Sequence, residues 1–250
     1  MPRIDLNADL GEGVGNDKAL MPYISSANIA SGFHAGDDDS MKAAVDLAMQ
    51  YKVRIGAHPS FPDKENFGRT NMSLSAAAVF DLVAEQVFRL SAIARAGGGL
   101  ISHVKPHGAL YNMAAIDREI AETIAMAVYA VNPRLYLFGL AGGFLITEGK
   151  LAGLQTVNEV FADRTYQDNG SLTPRTSAGA LIDDLDLALR QVMQMLMHRK
   201  VRAVNGKEIF ILAETICIHG DGPHSAALAK AIHDLLTHQG IEISAPSNMA

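Results

Sequence analysis

Short apolar, strand-like runs in this chain each end in a polar cluster carrying His, Asp or Lys. In order, the clusters are Asn7-Ala8-Asp9-Leu10-Gly11-Glu12, Gly32-Phe33-His34-Ala35-Gly36-Asp37 and Gly56-Ala57-His58-Pro59. They continue as His103-Val104-Lys105-Pro106-His107-Gly108, Phe161-Ala162-Asp163-Arg164 and His219-Gly220-Asp221. The runs before them are 3–7, 27–31, 53–57, 100–105, 156–161 and 209–218, with a further run at 135–140. Helix-like stretches lie between, at 40–51, 75–96, 117–131, 142–152, 177–200 and 223–239. Ser75 is placed to cap the second of these, and Gly97-Gly98-Gly99 stops it. Strands alternating with helices imply parallel strands joined by right-handed crossovers. A β/α barrel builds its active site from the loops after its strands, which is where these clusters fall. The chain therefore reads as an enzyme or an enzyme subunit.

Its 250 residues are the length of one such barrel, so a single domain over 1–250 is expected. Seven strand candidates point to a closed or slightly open, irregular barrel. An open doubly wound sheet is the alternative, disfavoured because no Gly-x-Gly-x-x-Gly follows the first strand. A net charge of -6 argues against nucleic acid or an anionic membrane as partner. The single cysteine, Cys217, excludes an intrachain disulfide and a cysteine-rich zinc site. No apolar stretch is long enough to span a bilayer, and a charged strand-like segment opens the chain, so a cytoplasmic protein is expected.

Alternation along a strand sorts side chains into two faces. In the first run Asp5, Asn7 and Asp9 share one face, while Ile4, Leu6 and Ala8 share the other. The apolar face should meet the helices, and the acidic one should point into the barrel. Three such groups need partners there. Ile101, His103 and Lys105 share a face of the fourth run, making Lys105 the counter-charge for Asp5 and Asp9. Thr215, Cys217 and His219 share a face of the last run.

Each cluster also has an ordinary structural reading. Asp9 and Glu12 suit a general base or a metal ligand, but acids beside Gly11 and Gly13 also cap turns. One of Asp37, Asp38 and Asp39 should cap the helix that follows. His34 sits between glycines that allow a ligand close approach. His58 could equally be a core histidine bonded to backbone. Pro106 rules out a helical pairing of His103 with His107. His103 reads as structural, and Lys105 with His107 as an electrophilic or proton-transfer pair. Arg164 suits a substrate carboxylate, with Arg175 a weaker second choice; a structural Asp163–Arg164 pair is the alternative. His219 and Asp221 enter the last helix, where Asp221 could cap it. Helix-borne His198, His224, His233 and His238 read as surface or packing residues. Two chemistries compete for the His/Asp set. One is metal-assisted hydrolysis, with Asp9, His34 and His58 as candidate ligands. The other is metal-free acid–base work on a small anionic amide or ring. No phosphate loop, His-Glu-x-x-His or Gly-x-Ser-x-Gly is present, so any ATP use needs another element or another subunit.

Several long runs resemble the LamB/YcsF family, which is associated with 5-oxoprolinase. They are Asp5–Glu12, Ser26–Ala30 with Gly32–Asp37, Ile55–Ser60, His103–Asn112, Glu159–Arg164 and Ile216–Asp221. They extend from residue 4 to about 230. Ser31 stands where the family is expected to carry Cys, and Gly143 where it carries Ser. The resemblance implies a distorted (β/α)7 TIM-like barrel of the glycoside hydrolase and deacetylase type. It also implies ATP-dependent opening of 5-oxo-L-proline to L-glutamate. ATP, or its Mg complex, is then the co-substrate, and two further subunits of B and C type are the partners. In such a scheme Asp9 or His58 transfers protons, Lys105 and His107 stabilise an oxyanion, and Arg164 holds the carboxylate. Asn7, Glu12, His34, Asp163, His219 and Asp221 complete the expected substrate contacts. A stand-alone metal-dependent amide hydrolase or carbohydrate deacetylase, and a non-catalytic 5-oxoproline-binding subunit, are the alternatives.

Overall fold

The computed structural model describes residues 2–220, 222 and 224–247. Six parallel strands follow one another in sequence and in space: β1 (Arg3–Leu10), β2 (Ser26–Ala30), β3 (Arg54–His58), β4 (Ile101–Val104), β5 (Tyr136–Leu140) and β6 (Gln155–Phe161). An antiparallel hairpin, β7 (Lys200–Arg202) with β8 (Glu208–Phe210), stands apart from them. The chain then returns as β9 (Thr215–Ile218), which pairs with β6 on one side and β1 on the other. That double pairing closes a seven-stranded parallel barrel. A short β10 (Glu242–Ile243) adds to the start of β1 outside the closed ring.

Eight α-helices accompany the strands among the described residues: α1 (Asp17–Leu20), α2 (Asp38–Tyr51), α3 (Ala76–Ala96), α4 (Gly108–Ile116), α5 (Arg118–Val131), α6 (Phe144–Leu151), α7 (Leu185–His198) and α8 (Ser225–His238). Their starts follow local chemistry. Asp37 and Ser40 form a reciprocal capping box on α2. Ser75 caps α3 through the amide of Ala78, and Asp117 caps α5. The apolar stripes of these helices cover the outward face of the barrel. Ile4, Leu6 and Ala8 are buried there, as alternation along β1 requires. A fully buried Leu or Ile contributes roughly 1.5–3 kcal/mol.

Two expectations need correction. The run at 209–218 is not one bulged strand: its first residues pair in the hairpin, and 211–214 cross over to β9. The Glu214 carboxylate takes the backbone and side-chain N–H of Asn158, which anchors the crossing. The helix at 177–200 begins only at Leu185. Gly179 adopts φ 72°, outside helical range, and Asp184 caps the helix through Leu187 N. Residues 164–181 instead fold back over the barrel mouth through isolated bridges. Residues 108–116, outside the runs read from the sequence, form α4, because Gly108 turns the chain at φ 57° directly after His107.

No helix among the described residues is long and apolar enough to cross a membrane.

Candidate active site

The barrel interior is polar from floor to mouth. At the floor, Asp5 accepts hydrogen bonds from the hydroxyls of Ser25, Ser26 and Thr215. Burial pushes its carboxyl up to about 6, against those bonds. Above it, Asn7 donates to Glu159 Oε1 and Thr215 Oγ1 and accepts from Asn28. His103 Nε2 lies 2.9 Å from Asn28 Oδ1, and its ring stacks on Phe138. Burial, then the charge of Lys105, drives His103 down to about 3, so it stays neutral.

Lys105 is the centre of the next layer. Its ammonium lies 2.9 Å from Asp9 Oδ1 and 2.9 Å from Glu159 Oε1. It also lies 2.9 Å from Cys217 Sγ and 3.3 Å from Asn7 Oδ1. Burial works against that charge, but Asp9, Cys217 and Glu159 more than reverse it and hold Lys105 well above its ordinary value. Asp9 answers in kind: burial opposes its charge, yet His58 and Lys105 keep it well below the usual carboxylate range. Cys217 is a buried thiol pushed well up by desolvation, so it is not a thiolate nucleophile.

Beside Asp9 lies a group of three histidines. His58 Nε2 is 3.4 Å from Asp9 Oδ2 and 2.9 Å from His107 Nδ1. The His34 and His107 rings stack 3.8 Å apart, and His34 Nε2 is 3.2 Å from Glu12 Oε1. Burial, followed by their histidine neighbours, holds His34 and His107 well below the ordinary imidazole value. On the opposite wall His219 Nδ1 is 2.8 Å from Asp163 Oδ2, and His219 keeps Asp163 low although burial opposes its charge.

A cavity of ≈ 460 Å³ opens above this layer at the carboxyl ends of the strands. Asp9, His58, Lys105 and His107 form its floor. Arg69, Arg164, Arg175 and His219 lie in its walls, with Tyr111, Phe161 and the 171–176 loop. Arg164 is buried, and it donates to the carbonyls of Thr173 and Ala180, which ties that loop down. Burial and then Arg175 lower its guanidinium to about 10, still charged at neutral pH.

The four residues expected to do chemistry thus share one cavity floor. Several expected substrate contacts do not. Asn7 lies beneath Lys105 with its amide already paired inside the barrel. Glu12 and His34 stand behind the His58–His107 pair, and Asp163 stands behind His219; none of the four lines the cavity. Asp221 lies outside the described residues. Ser31 is buried with its hydroxyl 3.4 Å from Ile29 O, away from the floor. Glu159 and Tyr111 were not among the expected site residues. Glu159 is an inward position of β6, and its place opposite Lys105 depends on barrel closure.

The LamB/YcsF family pattern matches residues 4–250. The chain belongs to the LamB/YcsF family. It is 52% identical over 250 residues to a protein from Shouchella clausii named as a 5-oxoprolinase subunit, covering 98% of this chain and 99% of that one. The crystal structure of a lactam utilization protein from Thermus thermophilus superposes with a TM-score of 0.90 at 42% identity, covering 98% of this chain and 100% of that one. Beyond the family, the fold alone is shared with the catalytic domain of a peptidoglycan N-acetylglucosamine deacetylase from Eubacterium rectale. There the TM-score is 0.52 at 8% identity, with 99% and 89% of the two chains covered. The distorted TIM-like barrel expected for the family is therefore the one observed.

Proposed function

We propose that this chain is the ring-opening subunit of an ATP-dependent 5-oxoprolinase, working on 5-oxo-L-proline with two partner subunits. The observation that carries this reading is the floor of the cavity: a buried Lys105 ammonium beside an ionised Asp9 that is itself in contact with His58. The names of the 52% and 42% identical relatives support the substrate class.

A lactam is a poor electrophile. Transfer of a phosphoryl group from ATP to the ring carbonyl oxygen opens the ring carbon to water. Water adds there, the C–N bond breaks, and the departing amine takes a proton. A second water then releases the phosphoryl group, leaving L-glutamate. Asp9 exchanges the protons, with His58 in contact with its carboxylate. Lys105 faces the negative charge that grows on the water-derived oxygen of the tetrahedral adduct, with His107 beside it. Arg164 and Arg175 give the cavity a cationic wall for the substrate carboxylate. ATP, with Mg, reaches the lactam from a partner subunit, since this chain carries no phosphate loop.

The test is glutamate release from 5-oxo-L-proline by the chain alone and with its partner subunits, each with and without ATP. Release only in the full, ATP-containing mixture is the expected result. Release by the chain alone without ATP would replace this reading with simple amide hydrolysis.

A further inference from the structure

We propose that Glu12, His34, His58 and His107 bind one divalent transition-metal ion of the zinc class. The argument starts from where each imidazole proton must sit. His58 Nδ1 is 2.7 Å from the carbonyl of Lys105, and His107 Nε2 is 2.9 Å from the carbonyl of Phe67. A carbonyl only accepts, so both nitrogens carry hydrogen. His34 Nδ1 is 2.8 Å from Ser60 Oγ, whose own proton goes to the Phe61 carbonyl, so His34 Nδ1 also donates.

With those three nitrogens carrying hydrogen, each ring has one nitrogen left to offer a lone pair, and these three converge with the Glu12 carboxylate. The four ligand atoms lie within 4.8 Å of one another. His58 Nε2 and His107 Nδ1 are 2.9 Å apart, His34 Nε2 and Glu12 Oε1 3.2 Å, and His107 Nδ1 and Glu12 Oε1 3.6 Å. Tetrahedral zinc with bonds of about 2.0–2.1 Å places its ligand atoms about 3.3 Å apart. Two lone pairs at 2.9 Å repel unless a proton or a metal ion lies between them. Each imidazole also has the outer hydrogen bond that fixes a ligand's tautomer. The surrounding backbone is strained to provide one of these bonds. Phe67 holds φ 57°, a left-handed conformation, while presenting its carbonyl to His107. The next residue, Gly68, lies so close that a Cβ there would come within 2.8 Å of His34 Cβ and 3.0 Å of His107 Cδ2. Three imidazoles and a carboxylate suit Zn²⁺, Co²⁺ or Ni²⁺.

Asp9, Cys217 and His219 also lie close together, but that place is already held by a cation. The Lys105 ammonium touches both Asp9 Oδ1 and Cys217 Sγ.

The proposal goes beyond the lactam reading, and its test needs neither substrate nor partner subunits. Untagged full-length chain is stripped by dialysis against a chelator and titrated with Zn²⁺ by calorimetry. Metal content is then measured by mass spectrometry. About one equivalent is expected. His34→Ala and His107→Ala should abolish stoichiometric uptake in protein whose circular dichroism remains native. Ser60→Ala should weaken binding about 10–100-fold through the outer hydrogen bond. Cys217→Ser and His219→Ala should leave uptake unchanged. No uptake by the stripped chain overturns the proposal, as does uptake that survives His107→Ala or is lost in Cys217→Ser. If the histidine variants do not fold, unchanged affinity in Ser60→Ala overturns it instead. Because only metal is read, failure of the 5-oxoprolinase assay leaves this result untouched, and the reverse also holds.

Discussion

Lys105 neutralises two buried carboxylates at once, Asp9 and Glu159. Removing it has two effects that one variant cannot separate. Lys105→Met should lower stability by about 3–5 kcal/mol, because it strands buried charge, and should reduce ring opening by about 100-fold or more. Adding Glu159→Gln removes one stranded charge. The double variant should regain stability in urea melts without regaining activity in the full complex. Recovery of both would leave Lys105 a purely structural role. His103 and Asp5 make a second residue-level case. The unfolded imidazole takes a proton near 6.5 and the folded one only near 3, so its stability is present above 6.5 and lost as pH falls. Asp5 runs the other way: folded near 6 against 3.8 unfolded, its contribution is present below 3.8 and lost as pH rises to 6. Between about pH 4 and 6 the two oppose each other. In urea melts across that window, Asp5→Asn should show stability rising with pH and His103→Gln should show it falling.

At the level of elements, the polar interior depends on small residues opposite large ones. β3 and β4 pair with a register shift at Gly56, and a Cβ there would come within 2.0 Å of His103 Nε2. Gly56→Ala should therefore cost about 1–3 kcal/mol by overpacking, measured as a lower urea midpoint with unchanged slope. An unchanged midpoint would mean that His103 moves freely. The late start of α7 has a simpler cause, the Asp184 cap. Asp184→Ala should cost about 1 kcal/mol without altering the cavity floor, which that residue does not touch.

For the whole molecule, the cavity exists only because β9 pairs with both β1 and β6. Closure brings Asp9 from one end of the sheet against Lys105 from its middle, and Cys217 from the other end against both. The 164–181 segment then roofs one side through Arg164. A ligand that fits this space binds the folded chain alone and should raise its melting temperature. Saturating 5-oxo-L-proline at about 100 times Kd should add about 2.7 kcal/mol. Arg175→Ala should weaken that shift, seen by scanning calorimetry. A shift with no glutamate release, even with partner subunits and ATP, would favour a purely binding role.

Local order along the chain was enough to give the strand–helix alternation, the inward acidic face of β1, the capping of α2 and α3, and the Asp9 half of the expected pairing of Lys105 with Asp5 and Asp9; Asp5 is held by hydroxyls instead. Each of these rests on period, on local hydrogen bonding or on charge that must be neutralised nearby. The remainder came from barrel closure. Glu159 is 152 positions from Asn7 and becomes its partner only when the barrel closes. The run at 209–218 divides because Glu214 finds Asn158, a contact between segments far apart in the chain. Glu12, His34, His58 and His107 come from the ends of four different strands and the loops after them. No sequence period links them, and only the curvature of the closed sheet turns their lone pairs toward one point.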